Sequence, residues 1–217
     1  MNNFVLQSTF IMTQKDYLKD ITEIKDIMSR STRFISLSGP SGILAGVYAL
    51  AGGFIAYNLL SGYAGGNQLS GVLPLGILQL ILIGLGLLVA ILSVVTAYFL
   101  TRKKARKNKE KMWTPASRRL FESFLIPMLA GGIFVLLLID RGYYGLIAPA
   151  TLIFYGIALF NASKFTLSWV KYLGLSEIVL GLLSLWFFGH GLFFWMAGFG
   201  VLHIVYGTLM YFNLDRK

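Results

Sequence analysis

At 217 residues, 56% of them hydrophobic and only 13% charged, the chain carries too much apolar sequence for a water-soluble fold and leaves little over for a soluble domain. The lack of cysteine excludes disulfides, thiolate metal sites, cysteine nucleophiles and iron–sulfur clusters. A net charge of +10 would direct a soluble protein to nucleic acid, but these cations lie between apolar stretches, where topology and anionic lipid headgroups account for them, so no nucleic acid is expected.

Residues 1–12 read as a flexible N-terminal extension without a cleavable signal, and either Met1 or Met12 serves as a start. Over 13–37, Tyr17, Ile21, Ile24 and Met28 form one narrow apolar stripe on a charged background. That spacing predicts an amphipathic cytoplasmic helix lying on the membrane surface. Ser38-Gly39-Pro40-Ser41-Gly42 then breaks the chain, with Pro40 suited to a first helical turn.

The rest, 38–217, is expected to be one transmembrane domain of six helices. Its apolar stretches run roughly 41–60, 71–100, 121–139, 143–160, 167–188 and 191–213, most of them near the ~20 residues that cross ~30 Å of hydrocarbon. The predicted fold is all-α: a polytopic bundle in three antiparallel hairpins, because the links at 140–142 and 189–191 permit only adjacent antiparallel helices. A basic cytoplasmic loop is expected at 101–120.

Eighteen of the nineteen Lys and Arg residues fall before the first span, in alternate connections, at the C-terminus or, for Lys171, one to two turns into the fifth stretch within snorkelling reach of the same side, and only Arg141 lies on the other side. The positive-inside rule therefore predicts that both termini are cytoplasmic. Trp113, Trp169, Tyr98 and Tyr211 on that side, and Tyr63, Tyr143, Tyr144, Trp186 and Trp195 on the other, agree as interfacial aromatics.

Small residues recur at helical spacing: Gly42 with Gly46, Ala45 with Ala49 and Gly53, Gly174 with Gly181 and Ser184, and Ala197 with Gly200 and Gly207. Such faces let helices approach closely in lipid. A faint repeat relates Ile153-Phe154-Tyr155-Gly156 to Ile204-Val205-Tyr206-Gly207. The segment Gly198-Phe199-Gly200-Val201-Leu202-His203-Ile204-Val205-Tyr206-Gly207, with Ile21 to Phe34, resembles a widespread set of uncharacterised bacterial six-span integral membrane proteins. More loosely, the glycine-bounded hairpins of about the last 90 residues resemble the bacterial acid-resistance membrane protein family. Both resemblances imply a six-span topology in the bacterial inner membrane, and neither implies an activity.

Glu177 and His203 are ionisable residues deep inside spans, where such groups are costly and turn towards protein or water. Glu177 stands 13 residues before His190, at the turn apex, and His203 stands 13 after it. Antiparallel helices of equal rise then hold both at one depth, about 20 Å from the outer turn. Two readings stay open: a hydrogen bond that sets the register of the last hairpin, or a mid-membrane centre that takes up protons or cations. Tyr206 joins this polar centre, and Tyr48, Gln79 and Tyr155 are candidates to extend it.

Arg102, Lys103, Lys104, Arg106 and Lys107 form a run suited to anionic lipid headgroups or an acidic partner, besides holding the loop inside. No metal site or cofactor is expected: the histidines, His190 and His203, are about 20 Å apart along one helix. No nucleophile turn, phosphate loop or paired intramembrane carboxylate suggests an enzyme. The expectation is a small permease or channel for an ion or small solute centred on Glu177 and His203. The alternative is a non-transporting scaffold or sensor acting through the basic loop and N-terminal helix. Expected partners are the bilayer, anionic headgroups and a second copy of the chain as a homo-oligomer.

Overall fold

A computed structural model of the chain describes residue 21 and residues 38–64, 74–109 and 111–215. The extension at 1–12 and, Ile21 apart, the amphipathic helix expected over 13–37 lie outside the described residues. The described chain is all-α, and six helices are long and apolar enough to cross a membrane. They are α1 (Gly39–Ala64), α2 (Leu75–Lys107), α3 (Pro115–Asp140), α4 (Ile147–Ala162, which flanking 3₁₀ turns extend to the span Tyr144–Phe165), α5 (Ser168–Trp186) and α6 (Gly191–Asn213). The protein is a polytopic helical bundle of the class its apolar stretches predict.

Local chemistry sets the boundaries. The α3 N-terminus is closed by a reciprocal cap: the Ser117 N–H donates to Thr114 Oγ1 (3.1 Å), the Thr114 N–H donates to Ser117 Oγ (2.7 Å), and Pro115 follows in the first turn. Gly142 and Gly189 adopt φ of +75° and +90° at the two tight turns, a conformation that disfavours a side chain.

Only part of the basic loop expected at 101–120 is a loop. Residues 101–107 continue α2 and residues from Pro115 onwards belong to α3, so the connection is 108–114. Lys and Arg are good helix formers, and Lys104, Arg106 and Lys107 sit at the helix C-terminus, where cations oppose the exposed carbonyl dipoles. At 33 residues α2 is about 50 Å long, well beyond the hydrocarbon thickness, so its basic end projects past the bilayer.

Packing divides the bundle into two units of three helices. In one, α1 lies between α2 and α6, and in the other α4 lies between α3 and α5. The two helices of the last hairpin remain in contact, but α5 packs mainly on α4 and α6 mainly on α1. Glycines explain the division. A Cβ on Gly156 would lie 2.6 Å from the Gly174 carbonyl oxygen, and one on Gly174 would lie 2.7 Å from that of Gly156, so α4 and α5 meet backbone to backbone. Across the α1–α6 contact, a Cβ on Gly46 would lie 2.6 Å from the Gly200 carbonyl oxygen and one on Gly207 2.6 Å from the Ile43 nitrogen. The small faces of α5 and α6 thus serve different neighbours and do not seal the hairpin that joins them.

Candidate functional site

Where the two units meet, three polar side chains converge from three helices. Glu177 of α5 is fully buried, with 0% of its surface exposed, and lies between Gly174 and Gly181 on the side packed against α4. His203 of α6 is 7% exposed. Its Nδ1 is 3.4 Å from Glu177 Oε1 and 3.1 Å from the Gly198 carbonyl oxygen, while its Nε2 is 2.8 Å from the hydroxyl of Tyr155 on α4.

These contacts differ in quality. The Tyr155–His203 bond is short and well formed, whereas the Glu177–His203 approach suits a charge interaction but not an aligned hydrogen bond. Both Glu177 oxygens lack a hydrogen-bond partner among the described residues. With neutral imidazole, Nδ1–H donates to the Gly198 carbonyl and Nε2 accepts from the Tyr155 hydroxyl; with imidazolium, both ring nitrogens donate.

The helix carrying His203 is wound to admit this arrangement. Met196–Leu202 is a π-helical stretch inside α6, and such widened turns displace the backbone pairing of an α-helix. Here the carbonyl of Gly198, five residues before His203, accepts from the imidazole. Glycine is required at 198 for space: a Cβ there would overlap the Glu177 carboxylate and lie 2.5 Å from Leu152 Cδ2. Rings enclose the remainder. Trp195 and Phe199 lie 5.0 Å apart by centroid, Phe199 and His203 stack at 6.1 Å, Tyr155 is 5.0 Å from Phe199, and Phe124 of α3 meets Tyr155 edge-on at 6.0 Å.

The other candidates are dispersed. Tyr206, half-buried, makes no hydrogen bond among the described residues, so it is Tyr155 that engages His203. Tyr48 turns to α2, its hydroxyl 3.4 Å from Thr96 Oγ1. Gln79 is half-buried on α2, which packs chiefly on α1 and so stands away from α5. Ser184, two turns from Glu177 on α5, is a further buried polar group without a partner among the described residues. Arg102, Lys103, Arg106 and Lys107 are exposed around the last turns of α2, Lys104 less so, while Thr101 and Ala105 on the intervening face are buried. Among the described residues no group of three or more His, Asp or Glu side chains converges as a metal site would require.

Comparison of the chain with protein-family models, with curated proteins and with solved structures gave no match.

Proposed function

We propose that the protein is a small, non-enzymatic permease or channel of the bacterial inner membrane that moves an ion or small solute, with protons held by Tyr155, His203 and Glu177. The observation that carries this reading is the fully buried Glu177 carboxyl, whose oxygens have no hydrogen-bond partner among the described residues and which faces an imidazole. A buried ionisable group left so poorly satisfied is costly in a membrane, and function is the common reason to keep one. The centre is electroneutral in two forms, a neutral acid with neutral imidazole or a carboxylate with imidazolium; passage of the proton from Glu177 to Nδ1 goes through the tautomer in which Nε2–H donates to the Tyr155 hydroxyl and Nδ1 is free to accept, and it leaves no net charge in the core. Its position at the seam between two three-helix units supports the reading further, because relative motion of such units exposes a seam alternately to each side.

Both termini and the basic end of α2 are cytoplasmic in this proposal, with anionic headgroups around Arg102, Lys103, Lys104, Arg106 and Lys107. The test is flux of protons, alkali cations and small organic acids in proteoliposomes under an imposed pH gradient. Wild-type flux that Glu177→Gln abolishes, with folding retained, supports the proposal, and no flux under any gradient overturns it. A second reading, a non-transporting scaffold or sensor, is favoured by the complete burial of Glu177 beside an imidazole that is itself enclosed by packed rings. It requires that Glu177→Gln behave as wild type.

A further inference from the structure

Pro127 lies inside the continuous helix α3, on the side facing the end of α4, and the residue four before it is Ser123. In an uninterrupted helix the N–H of residue 127 would donate to the Ser123 carbonyl. Proline has no such hydrogen, so that carbonyl lacks its regular helical donor. Ser123 and Pro127 line a groove of about 300 Å³ together with Ile126, Asn161, Lys164 and Phe165. Asn161 lies in the last turn of α4, and Lys164 and Phe165 belong to the 3₁₀ turn Ser163–Phe165 that leads into α5. The groove therefore opens at the same end of the bundle as Arg118 and Arg119 on α3 and the cations of α2.

Its walls are of two kinds. Lys164 offers an exposed ammonium, and Asn161 and Ser123 add neutral donors and acceptors. Ile126, 70% exposed, with Pro127 and Phe165, presents an apolar side that a membrane would cover with acyl chains. We propose that this groove holds the headgroup of a phospholipid, with the phosphate on Lys164 and Asn161. A donor on the headgroup, an ammonium or hydroxyl, meets the Ser123 carbonyl. The volume is at the lower end for small-ligand sites, which suits a headgroup whose chains remain in the bilayer. A basic recess between helices at the headgroup level is a recurrent form of lipid recognition. Lipid is favoured over a free solute because the apolar wall is continuous with the lipid-facing surface of α3, where Leu129 and Ile133 are also exposed.

The experiment is native mass spectrometry of the full chain in mild detergent, titrated with phosphatidylethanolamine, phosphatidylcholine or inorganic phosphate after a high-salt wash. Wild type is expected to retain one phosphatidylethanolamine more strongly than phosphatidylcholine, whose quaternary ammonium has no hydrogen to donate. Lys164→Gln, a change at an exposed position, is expected to lower retention roughly tenfold, the loss that goes with one charge-assisted hydrogen bond. Lys171→Gln, which removes a cation lying over Phe160 instead, should leave it unchanged. Pro127→Ala restores the helical donor and should erase the preference for ethanolamine over choline while keeping phosphate-dependent binding. Equal retention by wild type and Lys164→Gln, equal retention of the two lipids by wild type, or displacement of lipid by inorganic phosphate would each overturn the proposal.

Discussion

Tyr155 and His203, 48 residues apart in sequence, join α4 to α6 through a 2.8 Å bond between hydroxyl and Nε2, and so tie the two three-helix units of the bundle together. Within each unit the helices are held by close glycine contacts. Between them the polar centre adds a specific connection beside the close approach of Gly198 to Leu152, with Glu177 of α5 on the other side of the same imidazole.

Tyr155→Phe keeps the ring against Phe124 and Phe199 and removes only the hydroxyl, which leaves His203 Nε2 without its partner. The expected loss is about 1 kcal/mol, as for other interhelical hydrogen bonds in membranes. Tyr206→Phe, at a hydroxyl with no such bond among the described residues, is expected to change stability by less than about 0.5 kcal/mol. Reversible unfolding in mixed micelles measures both, and equal effects would remove the special role given to Tyr155.

Gly198→Ala probes the space that the π-helical turn keeps for Glu177. The added methyl overlaps the carboxylate and Leu152, both buried, so a destabilisation of about 1–3 kcal/mol is expected from overpacking. Gly84→Ala and Gly132→Ala put the same methyl into open space on helices facing outward. These two should be neutral or slightly stabilising, since alanine is the better helix former. A Gly198→Ala protein as stable as these controls would mean that the helices at 198 separate freely.

Much of this architecture is legible in the sequence because bilayer thickness constrains it. Apolar runs of sufficient length place all six helices, and glycine at 142 and 189 marks the tight turns. The symmetric spacing of Glu177 and His203 about His190 also places them at one depth. The division into units is harder to read. Glycine spacing on α5 and α6 marks a small face on each, but nothing in either helix alone says that one face meets α4 and the other α1. Gly156, by contrast, stands beside Tyr155 in the motif repeated at Tyr206-Gly207, and both glycines lie at close helix contacts. That repeat was the available signal for the crossings. The choice of Tyr155 over Tyr206 as the partner of His203 follows from which helix crosses which, a tertiary property with no local signature. The same holds for the π-helical turn, since Met196–Leu202 carries no residue pattern that separates it from ordinary helix.

The basic end of α2 is expected to bind anionic membrane through charge without sequence preference. Arg102, Lys103, Arg106 and Lys107 are exposed on the helical extension, each contributing roughly 1 kcal/mol when close to an acidic surface. Replacing all four by Gln should weaken association of a peptide spanning 95–112 with acidic liposomes and flatten its dependence on salt. The same peptide with the four residues permuted among themselves should bind as before. Loss of binding on permutation would mean that residue order, and not charge alone, governs contact with the headgroups.

Coupling between Glu177 and His203 is the property that separates a working pair from two neighbours. The 3.4 Å approach, within reach of charge but without aligned hydrogen-bond geometry, leaves a small direct bond energy for Glu177→Gln to remove. Stability of Glu177→Gln, His203→Asn and the double variant should therefore be additive to within about 0.5 kcal/mol. Flux should not be. If protons pass between the two groups, either single variant stops transport and the double variant loses nothing further, as residues acting as one unit show in kinetics. Glu177→Leu serves as the packing control, since it removes both charge and polarity at a site with no exposed surface. Strong coupling in stability with flux unaffected by any of the variants would mean that the pair holds the two halves of the bundle in register and moves nothing.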